Sequence, residues 1–369
     1  MKERSKILNL MIAKTDRANS ERWLPLWMHS YDTAGVMEYL YHNWLPLAVI
    51  KVIGKDFGEE MGLKVCLFLA YIHDAGKLCS QFQSGVAEQV RDIREKLFQE
   101  AISLVLSKNL TKKIPHSLCG EGILRKYGVP VGIAVIVGSH HGSTPEYYSD
   151  IAEENIETYG KDVFFGQQKD KWEKVWKEWL DIALEKSGFS SVEEIPDISM
   201  EVQVILTGLL IMADWIASNT YYFPLINTAC LGADTDYPKR VNNAIEKLDL
   251  PEFWIPGEND WGMDDTLFEE RFGFAPREVQ HTAMEIAQNT TEPGFFILEA
   301  QMGVGKTEAA LAVAEILGQK AGSGGIFFGL PTQATANGLF PRLMKWAEQQ
   351  SENVKLGIRL AHGAVELNE

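Results

Sequence analysis

Five of the eight histidines stand where a helical core alone does not explain them: His29, His73, His116, His140 and His141. Two aspartates share that company, Asp74 and Asp214. Imidazole favours Fe, Co, Ni, Mn or Zn, and carboxylates supply charge to hold a dication, so the chemistry on offer is cation binding. His73 and Asp74 close the apolar run K-V-C-L-F-L-A-Y-I, which puts a polar pair at the end of a largely buried helix. Adjacent helical residues point about 100° apart, so this dipeptide can address two neighbouring metal positions. Lys77 follows one turn on and faces the same way.

Asp214 stands out on separate grounds. It interrupts Leu209, Leu210, Ile211, Met212, Ala213, Trp215 and Ile216, and a carboxylate on such a helix costs several kcal/mol (roughly) unless paired or bound to a cation. Ser218, one turn later, could hold a ligand or a phosphate oxygen. Each residue also has a plainer reading. Asp74 could cap a helix or pair with Lys77, His116 could neighbour an N-cap after Pro115, and His140 and His141 could end a helix before Gly142. His42, His281 and His362 carry no such signal.

A second constellation lies downstream. The run A-Q-M-G-V-G-K-T, Ala300 to Thr307, matches the phosphate-loop pattern with Ala300 in place of the first glycine. In that pattern backbone N–H groups, among them those of Gly303 and Gly305, cradle phosphates, Lys306 reaches the β and γ groups and Thr307 holds Mg²⁺. Upstream, P-R-E-V-Q supplies Arg277 and Gln280; downstream stand L-P-T-Q-A-T-A-N and R-L-A-H-G.

These residues need elements to carry them. From Ser30 to about Pro224 apolar residues recur at three and four, predicting helices over Ala34 to Leu45, Leu63 to Ile72, Val90 to Leu106 and Val202 to Ala217. Lys169 to Lys186 puts Trp172, Val175, Trp176 and Trp179 on one face, to pack onto its own domain or dock a partner. Pro251, Pro256, Gly257 and Gly262, among Trp254, Trp261 and acidic residues, break the pattern and mark a boundary. Beyond it the reading is strand (Gly294 to Ala300), helix (Glu308 to Leu317), strand (Gly325 to Leu330), helix (Gln333 to Gln349), the order of a parallel α/β sheet. The expected fold is a mainly α core over residues 1–255 followed by a partial α/β lobe over 256–369. The net charge of −16 excludes a surface that binds phosphate backbones everywhere; fourteen acidic and six basic residues between Glu146 and Asp197 account for half of it. Cys66, Cys79, Cys119 and Cys230 stand singly and read as reduced thiols. The longest apolar runs are about half a membrane span, and Lys14, Asp16 and Arg17 near the basic start do not resemble a signal peptide, so a cytoplasmic protein is expected.

The series W-M-H-S, H-D-A-G-K, H-S-L-C-G, S-H-H-G and A-D-W-I-A-S-N resembles the HD phosphohydrolase superfamily. More narrowly it resembles the HD nuclease domain of the CRISPR-associated nuclease-helicases of type I systems, over residues 20–225 and on into the second domain. The resemblance implies that His29, His73, Asp74 and Asp214 hold one divalent metal and Asp74, His116, His140 and His141 a second, with Asp74 bridging. Asp74 and Lys77 would then take catalytic roles, and Ser218, by its place one turn after Asp214, a substrate contact. In superfamily-two helicases Arg277 and Gln280 would read adenine, and the RecA-like lobe would take ATP and Mg. The implied partners are single-stranded DNA, the Cascade effector complex with its crRNA R-loop, and phage inhibitor proteins; no membrane is implied. An HD phosphohydrolase for nucleotides or cyclic nucleotides and an inactive partner-docking module are the alternatives. No acidic D-E-x-H-type pair follows Thr307, so neither Walker B nor a second lobe is found, and ATP turnover by these 369 residues is not expected.

Overall fold

Two acidic residues in a first turn, an apolar stripe and a polar end make the helix that leads to His73. It runs Glu59–Ile72, with Glu59 and Glu60 complementing the helix dipole and Val65, Cys66, Phe68, Leu69 and Ile72 buried. The computed structural model describes residues 4–361 apart from 56, 103, 105–113, 143–155, 157, 233–234, 251–252, 255–260, 262–264, 293 and 351–356. The chain divides into two units, Met1–Asn43 with Val52–Asp249, and Trp44–Lys51 with Leu250–Glu369. Of the expected boundary residues, Pro251, Pro256, Gly257 and Gly262 lie outside the described residues, as do residues 146–155 of the acidic stretch, Leu106, and the His362-Gly363 end of R-L-A-H-G.

The first unit begins with α1 (Lys6–Leu10), β1 (Ile12–Asp16) and β2 (Asn19–Pro25). Pro25 caps α2 (Leu26–Tyr39), and a wider turn, Leu40–Trp44, follows it. Past α3 (Leu47–Ile53), most of which falls in the second unit, and α4 (Glu59–Ile72), a short 3₁₀ turn over Ala75–Lys77 leads to α5 (Ser80–Ala87) and α6 (Arg91–Gln99). α7 (His116–Lys126), α8 (Val131–Ser139), α9 (Lys169–Ser187), α10 (Met200–Ser218), β3 (Ile226–Asn227) and α11 (Tyr237–Ile245) complete it. α2 packs on α4 and α10, α4 also on α9 and α8, and α7 on α8 and the 75–77 turn.

Three findings depart from the expected helices. First, β1, β2 and β3 form an antiparallel sheet, with Lys14 opposite Leu24 and Trp23 opposite Ile226; the periodicity did not reveal it because its strands flank the helical region. Second, α6 stops at Gln99. Ala101 adopts φ 56°, and the N–H groups of Ala101 and Ile102 donate to Phe98 O and Leu97 O, a left-handed helix stop that ends the run before Leu106. Third, α10 is long and apolar enough to cross a membrane by composition, unlike the runs singled out in the sequence. It is a core helix here: Val202, Leu206, Leu209, Leu210, Ala213, Asp214 and Ala217 form its buried stripe.

α9 turns its aromatic face inward. Trp172, Trp176 and Trp179 are buried, which removes the docking role considered for them. Trp176 Nε1 donates to Leu78 O at 2.5 Å, so this helix braces the chain just after His73-Asp74-Ala75-Gly76-Lys77.

The second unit holds α12 (Thr266–Phe272), α13 (Glu278–Asn289), α14 (Lys306–Ala321) and α15 (Gln333–Glu348). Buried Glu315 organises it, accepting from Trp346 Nε1 (2.8 Å), Gln350 Nε2 (2.6 Å) and Arg271 Nε (3.3 Å). The segments 294–300 and 325–330 join no sheet ladder among the described residues, although the helices expected between and after them form. A strand exists only through backbone bonds to a neighbour, and these segments leave Phe295, Ile297 and Phe327 exposed.

Replacing Trp176 tests the brace. Trp176→Ala is expected to cost about 3–5 kcal/mol by urea unfolding, and Trp176→Phe less.

Candidate metal centre

Each of the seven His and Asp residues reaches the centre from the end or the buried face of an element. His29 sits in the first turn of α2, fully buried, and Asp214 on the buried stripe of α10. His73 caps the C-terminus of α4, and Asp74 leaves helical geometry at φ −98°, ψ 15°, so the two side chains part. His116 opens α7, while His140 and His141 follow the end of α8.

The structure brings all seven together. His29 Nε2 lies 3.2 Å from Asp74 Oδ2 and 3.1 Å from Asp214 Oδ1. His73 Nε2 lies 3.4 Å and 3.6 Å from the same two oxygens. The other Asp74 oxygen, Oδ1, lies 3.4 Å from His116 Nε2 and 3.8 Å from His140 Nε2. His141 Nε2 is 2.9 Å from His116 Nε2. One carboxylate therefore faces two donor sets, His29, His73 and Asp214 on one side and His116, His140 and His141 on the other. Within each set the donor atoms lie within 4.8 Å of one another.

The donors fit divalent cations. The Nε2 atoms of His29, His73 and His140 are buried without a hydrogen-bond partner, although an unmade bond of this kind costs about 1–3 kcal/mol. His73 Nδ1 donates to Ala70 O (2.8 Å) and His140 Nδ1 to Val137 O (2.6 Å). That bond selects the tautomer whose Nε2 lone pair points at the centre. Electrostatics agree. Burial opposes the charged form of Asp74, but Lys77 and His73 overcome it and hold the carboxyl well below its usual range. Asp214 is likewise depressed, its burial outweighed by the close approach of the His29 and His73 imidazoles. Burial also disfavours a charged His73, yet Asp74 and Asp214 pull its pKa up to about 9. His140 goes the other way, to about 3, through burial and the neighbouring His73 charge. Two buried carboxylates draw positive charge inward, as protons or as metal.

Lys77 and Ser218 serve the ligands directly. Lys77 Nζ is 2.6 Å from Asp74 Oδ2 and almost buried, the ion pair that its spacing allowed. Ser218 Oγ donates to Asp214 Oδ1 at 2.9 Å, holding the carboxylate.

Three supports were not read from the sequence. Gly76 lets α7 approach: a Cβ there would stand 1.7 Å from His116 O and 2.4 Å from Gly120 N. Gln83, fully buried, accepts from Ile12 N (3.0 Å) and donates to Ile12 O and Lys77 O (2.9 Å each), tying β1 to the 75–77 turn. Asp32, one turn beyond His29, receives Arg240 through Nε and Nη2, both at 2.8 Å, and Tyr237 Oη at 2.6 Å. Tyr237 Oη also lies 2.5 Å from Met28 O, sharing its one proton between the two acceptors, so α11 locks the start of the His29 helix. Asp32 was legible by the test that singled out Asp214, a carboxylate on a buried helical stripe; its partners, some 200 residues away, were not.

In the second unit the phosphate loop and the P-R-E-V-Q segment meet. Gly303 and Gly305 adopt φ 80° and 90°, a left-handed backbone that favours glycine. Gln280 Nε2 donates to Gly305 O (3.0 Å), its Oε1 accepts from Arg277 N (2.8 Å), and Arg277 Nη1 donates to Gly303 O (2.8 Å). Lys306 Nζ donates to Ala300 O (2.5 Å) and Gln301 O (3.0 Å), and Thr307 lies in the first turn of α14.

A helical bundle that ends a core helix on His73 and Asp74 and gathers further imidazoles about that pair is an HD-type domain. The family described as Cas3, HD domain, matches residues 13–223, and the chain belongs to that family, with a partial helicase lobe following its helical core. It is 38% identical to the CRISPR-associated nuclease/helicase Cas3 of Streptococcus thermophilus, over 96% of this chain and 40% of that protein. It is similar to the crystal structure of a CRISPR-associated protein, with 26% identity, TM-score 0.75 and coverage of 93% of this chain and 38% of the other. The crystal structure of T. fusca Cas3 with AMPPNP has the same fold at 24% identity and TM-score 0.71, over 98% of this chain and 40% of that one. The chain spans about 40% of the length of the relatives it matches.

Two substitutions test the supports. Gly76→Ala is expected to displace α7 and lower Mn²⁺ stoichiometry in a calorimetric titration, by weakening the set that contains His116. Arg240→Ala leaves Asp32 buried without its cation and is expected to cost about 3–5 kcal/mol, read by urea unfolding.

Proposed function

We propose that this chain carries a metal-dependent nuclease that cuts single-stranded DNA at a two-metal centre. In this reading residues 1–255 form the nuclease domain and 256–369 begin a RecA-like ATPase lobe. The observation that carries it is Asp74, whose two oxygens face two separate sets of donors. His29, His73, Asp74 and Asp214 would hold one divalent cation, and Asp74, His116, His140 and His141 the other; Fe, Co, Ni or Mn suit these donors, with Zn as a further option. Such a pair, when bound, supplies Lewis acidity at phosphorus and an activated water for in-line displacement.

The chain's own residues prepare the site for that chemistry. Asp74 places its two oxygens toward both sets, and Lys77 balances its charge from the buried side. Ala70 O and Val137 O orient His73 and His140, and Ser218 keeps Asp214 turned inward. Burial of His29, His73, His140 and Asp74 excludes bulk water from all but the open side, where His141 is exposed.

The choice of DNA rests on the attached lobe. Arg277 and Gln280 frame the adenine end of a nucleotide site, and Gly303, Gly305, Lys306 and Thr307 its phosphate end, with Mg as ATP's companion. Its relative in Streptococcus thermophilus is named a nuclease/helicase, which supports an ATP-driven translocase that feeds a strand to the nuclease. Recruitment by the Cascade effector complex at an R-loop, action in CRISPR type I defence, and capture by phage inhibitor proteins belong to the same reading.

His73→Ala and Asp74→Ala are each expected to lower Mn²⁺-, Co²⁺- or Ni²⁺-dependent cleavage of circular single-stranded DNA by at least ~100-fold. Unchanged cleavage would overturn the centre. Rapid hydrolysis of mononucleotides or cyclic nucleotides with DNA left intact would establish the phosphohydrolase alternative instead.

A further inference from the structure

A chain with a net charge of −16 must bind phosphate through local cations. At the first unit's centre Lys77 is already committed to Asp74. Lys14 lies on β1 opposite Leu24 of β2, the strand that runs directly into α2 and His29, and it feels the charges of Lys77, Asp214 and Asp74. Gln83 fixes this placement: it grips the N–H and carbonyl of Ile12, two residues before Lys14, and the carbonyl of Lys77.

The surroundings of Lys14 are those of the centre. Burial lowers its pKa to about 8, and Lys77 pushes the same way, while Asp214, Asp74 and Asp32 pull it up. The side chain is half-buried between Ala13, which is buried, and Thr15. Among the described residues its ammonium makes no hydrogen bond and no ion pair, in contrast to Lys77. A lysine kept for packing on a strand would send its charge to solvent or to a carboxylate. This one keeps its donors within the field of Asp214, Asp74 and Asp32, where a compact ammonium suits an anionic oxygen.

We propose that Lys14 is a substrate-binding residue, which takes a nonbridging phosphate oxygen of the strand held at the metal centre. This rests on the nuclease reading above. Lys77 then balances the ligand Asp74, and Lys14 attracts the substrate.

The test uses the full chain with Lys14→Met and Lys14→Arg, Mn²⁺, and a fluorescein-labelled single-stranded oligonucleotide. Lys14→Met is expected to raise KM about 10-fold with kcat within about twofold. It should also flatten the dependence of log binding constant on log salt by about 0.7–1. Mn²⁺ content and the thermal midpoint should stay at wild-type values, and Lys14→Arg should restore both KM and the salt slope. A KM and salt slope equal to wild type would overturn the proposal while leaving the nuclease reading intact. A loss of bound Mn²⁺ in Lys14→Met would overturn it in favour of a charge that stabilises the metal ligands. Failure of the wild-type chain to bind or cleave the oligonucleotide would remove the nuclease reading, and the role of Lys14 with it.

Discussion

Two carboxylates buried among imidazoles set the terms for the whole first unit. An unpaired charge in an apolar interior is expensive, so Asp74 and Asp214 persist as carboxylates only because donors and positive charge surround them. That requirement explains why helices end where they do. α4 stops so that His73 and Asp74 can diverge, α7 begins on His116, and α8 finishes before His140 and His141. An unbroken helix would carry at most one of its faces to the centre; four helix ends and the buried stripe of α10 bring side chains from five elements.

Holding those ends still is the task of the surrounding polar contacts. Trp176 reaches the carbonyl of Leu78, Gln83 joins Ile12 to Lys77, and Gly76 admits the backbone of α7. These contacts act on the backbone that carries the candidate ligands, Gly76 against the carbonyl of His116 itself. Glu315 plays the corresponding part in the second unit, where one buried carboxylate collects donors from Arg271, Trp346 and Gln350. Gln280 does the same at the phosphate loop by bridging Arg277 and Gly305.

Much of this was legible in the sequence, and for physical reasons. The helices showed through their apolar period, and Asp214 through the cost of a charge on a buried stripe. The histidines were readable by their order and by the company of a dipeptide at a helix end. The phosphate loop was readable because φ values above +20° at Gly303 and Gly305 call for glycine. What escaped was long-range. β3 has two residues and no period, Arg240 finds Asp32 across about two hundred positions, and Lys14 stood out only as one charge near the N-terminus. The expected strands at 294–300 and 325–330 show the converse: apolar runs name a candidate strand, but only a paired neighbour makes one.

The Asp32, Tyr237 and Arg240 network bears on where the nuclease unit ends. The match to the HD-domain family ends at residue 223, but Arg240 also donates to Pro224 O and closes on Asp32 within the His29 helix. A fragment cut at the edge of the similarity would keep every candidate ligand and still strand a buried anion one turn from His29. The border of this unit is thus drawn by charge neutrality: the partners that keep Asp32 paired, Tyr237 and Arg240, lie beyond the last candidate ligand in the chain.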